Sequence, residues 1–186
     1  MTQIFRDLIE LVESKGSELE LVRLPYSRSS LSPIMSKNTI DYHYGKLAKG
    51  YVDRYNNREG DREFNEAGAF LHNIFFSQFR TPRPSNLPIG AIKTLIEKKH
   101  KDFKEFKDEF KEQALKVQGS GWIYLSKNGD IKTIKNHQIR QDIVFLVDMW
   151  EHSYNLDYGA NKKGYLDKIW QIIDWTRVNT RVVAGK

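Results

Sequence analysis

The sequence predicts an α+β fold, with an N-terminal helical hairpin lobe packed on a C-terminal lobe of a three-stranded antiparallel sheet and flanking helices. Two observations lead there. The apolar residues recur at helical spacing up to about Val117, then change to strand-like runs from Gly121. A Pro-rich stretch, Thr81-Pro82-Arg83-Pro84-Ser85-Asn86-Leu87-Pro88, punctuates the helical part and marks the lobe boundary. The expected division is an N-terminal extension over 1–23, the hairpin lobe over 24–84 and the α/β lobe over 85–186.

Composition bounds the function. A chain of 186 residues, 39% of them hydrophobic, can bury one core but not a string of domains. The absence of Cys excludes disulfides, thiolate zinc sites and cysteine nucleophiles, so a metal could be held only by Asp, Glu and the five His. The net charge of +6 favours anionic partners: nucleic acid, an acidic surface or a small anion. The run Ile143–Val147 is far shorter than the roughly 20 apolar residues of a membrane span. With no basic-then-apolar leader in view, a cytoplasmic protein with no membrane association is expected.

Along the chain, Ile4, Phe5, Leu8, Ile9 and Val12 fall on one helical face. That helix either packs on its own domain or docks a partner in a larger assembly. Leu24–Pro33 reads as extended, because Pro disfavours helix before it. Ser36 or Asn38 can cap a helix running to about Tyr55, and a second, Phe-rich helix follows from about Arg62 to Phe79. Helices are predicted over Ile89–His100 and Lys101–Val117, the latter turning Phe103, Phe106, Phe110 and Leu115 to the core. Gly121–Ser126 and Ile131–Lys135 flank Asn128-Gly129, a hairpin signal in which both turn residues take positive φ. Asp142–Val147 reads as a buried third strand, followed by a helix after Trp150 and a last helix over about Lys163–Val178.

The chemistry-bearing residues sit on three of these elements. Asp148 ends the buried strand, where a carboxylate is costly unless paired or bound to metal. His152 lies four residues on, and His43 and His72 lie mid-helix on the two N-terminal helices. Each His can be a satisfied core residue. Converging, the four would form a three-His, one-carboxylate site suited to manganese, iron or zinc.

Six stretches in this order resemble the iron/manganese superoxide dismutase family. They are Leu24-Pro25-Tyr26 with Leu31-Ser32-Pro33; Thr39–His43 with Tyr51-Val52; and Phe64–Gly68 with His72–Phe76. Gly119-Ser120-Gly121-Trp122, Asp148–Tyr154, and Tyr165–Trp170 with Asp174-Trp175 complete the set, and the resemblance runs from Leu24 to about Arg181. It implies that His43, His72, Asp148 and His152 ligate one manganese or iron ion per subunit, with a solvent molecule as fifth ligand. Tyr51 matches the family's gateway tyrosine. Trp122 and Trp150 match aromatic walls of the site, and Phe76 stands where many members have Trp. These aromatics would pack a core equally well.

The family also places a Gln or His against the bound solvent. Some members supply it four residues before the second ligand, where this chain has Gly68. His137 is then the first candidate and Gln138 the second, although His137 could equally be an ordinary strand-end residue. Glu151 matches the residue that bonds the last His ligand of the opposite subunit, so a homodimer is expected. Leu47 and Asn155 replace a His and a Tyr that pair across the family's interface, which implies a repacked interface. The implied activity is conversion of two superoxide anions to dioxygen and hydrogen peroxide. The competing expectation is a structural or interaction subunit of a larger assembly, with nucleic acid among its partners.

Overall fold

The computed structural model describes residues 18–184; the helix expected over Ile4–Val12 lies outside them. The first lobe is built on two rods. One comprises α1 (Lys37–Tyr42), a π-helical stretch (His43–Ala48) and α2 (Lys49–Asn56), and the other is α3 (Arg62–Ser77). Of the two candidate caps it is Ser36 that starts the first rod, its Oγ accepting from Thr39 N at 3.1 Å. Asp61 caps α3 through Phe64 N at 2.9 Å, and such a cap is worth about 1 kcal/mol. The short connection 57–61 folds the rods back on each other as an αα-hairpin.

Residues 18–23 lie against this hairpin, held by two asparagine side chains. Asn56 accepts from Leu19 N and donates to Leu19 O, at 2.8 and 2.9 Å. Asn73 accepts from Val22 N and donates to Glu20 O, also at 2.8 and 2.9 Å. Each amide satisfies two backbone groups that have no sheet to join.

The second lobe opens with α4 (Gly90–Lys99) and α5 (Phe103–Leu115), then forms the sheet of β1 (Gly121–Ser126), β2 (Ile131–Lys135) and β3 (Ile143–Asp148). The strand order is β2-β1-β3, antiparallel throughout. Both β1 and β3 are wholly buried, as their continuous apolar runs require. After the sheet come a 3₁₀ turn (Glu151–Ser153), α6 (Asn155–Tyr158), α7 (Lys162–Lys168), a second 3₁₀ turn (Ile169–Ile172) and α8 (Trp175–Val183). No helix among the described residues is long and apolar enough to cross a membrane.

Four local expectations change. Residues 28–34 form successive turns rather than an extended lead-in, with Ser30 N bonded to Ser27 O and Ile34 N to Leu31 O, both at 2.9 Å. Only Gly129 of the hairpin turn takes positive φ, at 82°. Ser126 N donates to Asp130 O and Gly129 N to Ser126 O, both at 2.9 Å. The loop therefore has three residues, with Gly in the left-handed position, rather than two. Leu115 is exposed instead of facing the core, because α5 ends there. The last predicted helix breaks in two. Residues 173–174 run extended beside residues 78–80, with Arg80 N bonded to Ile172 O at 2.8 Å and Asp174 N to Gln78 O at 2.7 Å. Asp174 then caps α8 through Thr176 N and Arg177 N. The continuous apolar run Ile169–Ile173 hid that break from a periodicity reading.

Polar ties fix the lobes against each other. Arg181, 4% exposed, donates to Val144 O, Ile74 O, Ser77 Oγ and Gln78 Oε1 at 2.8–3.2 Å. Burial lowers its guanidinium to about 10, which leaves it charged at neutral pH. Gln78 in turn bonds both backbone groups of Leu146. Together they lock α3, which holds His72, to β3, which ends in Asp148. A second tie runs from Asp157 Oδ2 to Ser36 N (2.9 Å) and Thr39 Oγ1 (2.8 Å), joining the start of the His43 rod to the segment after His152.

Candidate metal centre

Four side chains from four elements meet between the lobes. The Nε2 atoms of His43, His152 and His72 stand 3.1, 3.4 and 3.8 Å from Oδ2 of Asp148. All four donor atoms lie within 4.8 Å of one another. None of them has a hydrogen-bond partner. Orphaned buried polar atoms cost roughly 1–3 kcal/mol each, and more when charged. A fold that gathers four of them needs a cation to satisfy them.

Each ligand is aimed by its neighbours. Asp148 is the last residue of β3, beside Trp122 of β1. Its Oδ1 accepts from Trp150 N at 2.8 Å, leaving Oδ2 for the site, and Ser153 Oγ donates to its carbonyl at 2.9 Å. His72 Nδ1 lies 2.7 Å from Gly68 O. A carbonyl only accepts, so Nδ1 bears the proton and Nε2 keeps its lone pair for a metal. His43 begins the π-helical stretch. An i→i+5 turn rotates less per residue than an α turn, so Tyr51, eight residues on, falls nearer the face of His43 than a straight α-helix would place it. Both rings contact His72, at 5.0 Å (His43) and 5.2 Å (Tyr51) between centroids.

The electrostatics suit a cation. Burial pulls His43 down to about 4, and His72 is held well below the ordinary imidazole value by burial and by His43. Burial alone would raise the Asp148 carboxyl, but the imidazoles of His152 and His43 outweigh it and hold the group below the usual carboxylate range. Three imidazole nitrogens and one carboxylate make a donor set for iron, manganese or zinc.

The surrounding residues fall as follows. Trp122 is wholly buried, its ring 5.0 Å from that of His72, and Phe76 lies 4.8 Å from His43. Trp150 stacks on His137 at 4.6 Å with 14° between planes. His137 is buried and takes a hydrogen bond at its Nδ1 from Trp122 Nε1 at 3.1 Å. Indole can only donate, so the neutral His137 ring carries its proton on Nε2, an atom that is itself buried without a partner. Burial lowers His137 to about 4, which keeps that ring neutral. Gln138 is not brought to the site: it is exposed, and its Oε1 accepts from Arg140 at 2.6 Å. Gly68 is required by Tyr51, because a Cβ there would meet the tyrosine ring at 2.8 Å. Burial, with Asp148 nearby, pushes the Tyr51 hydroxyl up to about 12 against the pull of Arg54, so it is a neutral donor at physiological pH.

Among the four ligand side chains His152 alone reaches the surface, 15% exposed against 0% for the others. Glu151 and Asn155 are exposed beside it, and Leu47 is half-buried on the π-helical stretch. The sequence reading missed Phe64, whose ring lies 4.7 Å from His137, and the Asp157 tie. Phe64 lay inside a matched stretch; Asp157 left no signal, because its partners are over a hundred residues away.

The comparisons bear on this arrangement. The model for the α-hairpin domain of iron/manganese superoxide dismutases matches residues 18–67, and that for their C-terminal domain matches 88–181. The chain belongs to the iron/manganese superoxide dismutase family. Within the family, it is 34% identical to a superoxide dismutase [Fe] of Bacteroides fragilis, over 88% of this chain and 98% of the relative. It is 34% identical to a superoxide dismutase [Mn/Fe] of Porphyromonas gingivalis, over 87% and 98%. A superoxide dismutase [Fe] of Escherichia coli is 32% identical, over 89% and 98%.

Proposed function

We infer that this chain is a superoxide dismutase, converting two superoxide anions to dioxygen and hydrogen peroxide at a mononuclear iron or manganese site. The observation that carries this is the set of four orphaned donor atoms within 4.8 Å, in a chain of this family. His43, His72, Asp148 and His152 would hold the ion. When bound, it supplies the one-electron chemistry that zinc lacks, taking an electron from one superoxide and returning it to another.

The chain's own residues supply position and protons. Three imidazoles against one carboxylate leave a divalent or trivalent centre net positive, which favours an anionic substrate. Tyr51 would pass protons between solvent and the site, a role supported by its neutral hydroxyl and its 8% exposure. His137 would donate from Nε2 to a water in the site, a role supported by Trp122, whose hydrogen bond fixes the tautomer. The side chains of Trp122 and Phe76 exclude bulk water from two sides. A homodimer is part of the same reading, supported by the exposed edge of His152 and the exposed Glu151 next to it.

Pulse radiolysis of the iron- or manganese-loaded protein tests the inference. Superoxide decay well above that given by the same concentration of free metal is expected. Decay at the free-metal background would overturn it.

A further inference from the structure

One cation beside the site is held as if for a purpose. Arg54 is exposed at the end of α2, and its guanidinium carbon lies 4.9 Å over the ring of Tyr51. Three contacts fix it there. Its Nε donates to Asn65 Oδ1 at 3.1 Å. Asn65 is buried at 3% exposure and is itself anchored by donating to Glu59 O at 2.9 Å. Gly50, one turn back, leaves room for the group, since a Cβ there would meet Nη1 of Arg54 at 3.1 Å. The Tyr51 ring forms the third side.

Its charge is not cancelled. On the same rod Lys37 pairs with Asp41 and Lys49 with Asp53. Two other arginines stack on tyrosines of this rod: Arg28, over Tyr44, pairs with Asp41 at 2.8 Å, and Arg62 lies over Tyr55 and donates to its hydroxyl at 2.6 Å. Among the described residues no carboxylate lies within ion-pairing distance of Arg54. Among the same residues Lys46 and Arg62 are likewise unpaired, but Lys46 has no contact on its polar head and Arg62 sits on Tyr55, whereas Arg54 sits on Tyr51, the ring that touches ligand His72. One aromatic ring separates this charge from ligand His72, since Tyr51 touches both. That spacing is on the scale of the ~10 Å screening length at 0.1 M salt. The other approach to His137 is an open cleft of about 760 Å³ lined by Asp61, Glu63 and Glu66 as well as Lys135, a wall that gives an anion no comparable pull.

We propose that Arg54 is the guiding residue for the anionic substrate, a fixed guanidinium that draws superoxide to the outer face of Tyr51. The proposal rests on the dismutase reading. A fixed guanidinium acts on encounter: it raises the local anion concentration and leaves the steps after binding untouched.

The test compares the metal-loaded parent with Arg54→Gln, Arg54→Lys and Lys98→Gln, the last removing an equal charge from α4. At low ionic strength Arg54→Gln is expected to lower kcat/KM about three- to ten-fold with kcat unchanged, and to flatten the fall of kcat/KM with added salt. Arg54→Lys should retain part of the effect, and Lys98→Gln should match the parent. Azide, titrated by its absorption change, should bind Arg54→Gln more weakly by a similar factor. That readout decides the matter even if the parent does not turn over, which would sink the dismutase reading instead. Unaltered azide affinity and salt dependence in Arg54→Gln, or an equal change in Lys98→Gln, would overturn the proposal.

Discussion

Two aromatic clusters share the core of this molecule, and they are packed alike. One surrounds the four ligands, with Phe75, Phe76, Trp122 and Trp150 set against imidazoles. The other gathers Phe103, Phe106, Phe110, Phe145, Trp170 and Trp175 between α4, α5, α8 and the sheet, with ring centroids 5.3–6.2 Å apart. Ring geometry does not tell them apart. The difference is polar: the first cluster encloses four unpartnered donor atoms within 4.8 Å of one another, whereas the second has against it a lone unpartnered nitrogen, His100 Nε2 beside Phe106. Packing alone would hold up either cluster, but only the first needs a guest.

That contrast can be broken from either side. The largest effect is expected at the ligands. Asp148→Asn and His43→Ala should abolish retention of iron or manganese through purification, read by elemental analysis. In the metal-free protein Asp148→Asn should lower stability only slightly: the interaction of the carboxylate with His152 and His43 is lost, but an amide oxygen can still accept from Trp150 N. A metal-free Asp148→Asn that unfolds well below the parent would show the site to be structural. Next comes Phe110→Ala in the second cluster. It should cost about 3–5 kcal/mol in urea unfolding and leave the number of ions bound per folded chain unchanged.

Gly68→Ala probes the seam between packing and chemistry. The added methyl meets the Tyr51 ring at 2.8 Å, so the ring or α3 must shift. The expected cost is about 1–3 kcal/mol of stability. Turnover should fall by more than metal content does, because Tyr51 moves while the ligands stay. Equal losses in both would argue that Tyr51 has no part in turnover.

The smallest effect lies at the surface. Burial would raise the Asp142 carboxyl, but hydrogen bonds from Lys132 and Tyr124 hold it below the ordinary value. A carboxylate lowered in the folded state contributes stability above its unfolded pKa of about 4, and loses it as the pH falls through the folded value. Asp142→Asn should therefore cost less than about 1 kcal/mol at pH 7 and converge on the parent at acid pH. A difference that persists at low pH would assign the role to packing.

Much of this was legible in the chain itself. The ligands were readable because Asp148 and His152 sit four residues apart at the end of an unbroken apolar strand, and because His43 and His72 fall inside stretches shared with a family. The hairpin was readable from Asn128-Gly129, although its length was not: Ser126 and Asp130 chose a bulged loop. The π-helical stretch that begins at His43 left no trace, since its one weak helix former, Gly45, also occurs within α-helices. The break at 173–174 was masked by apolar residues that serve both a 3₁₀ turn and an extended pairing with Phe79. The choice between His137 and Gln138 depended on which neighbour faces Trp122, a fact of three dimensions.

The central claim is that the four orphaned atoms exist to hold one redox-active ion. Its most direct test is titration of the metal-free chain with Mn(II), followed by the loss of the free-ion electron paramagnetic resonance signal. The account predicts one tight site per chain in the parent and none in Asp148→Asn. Equal binding by the two, or no tight binding by the parent, would contradict it.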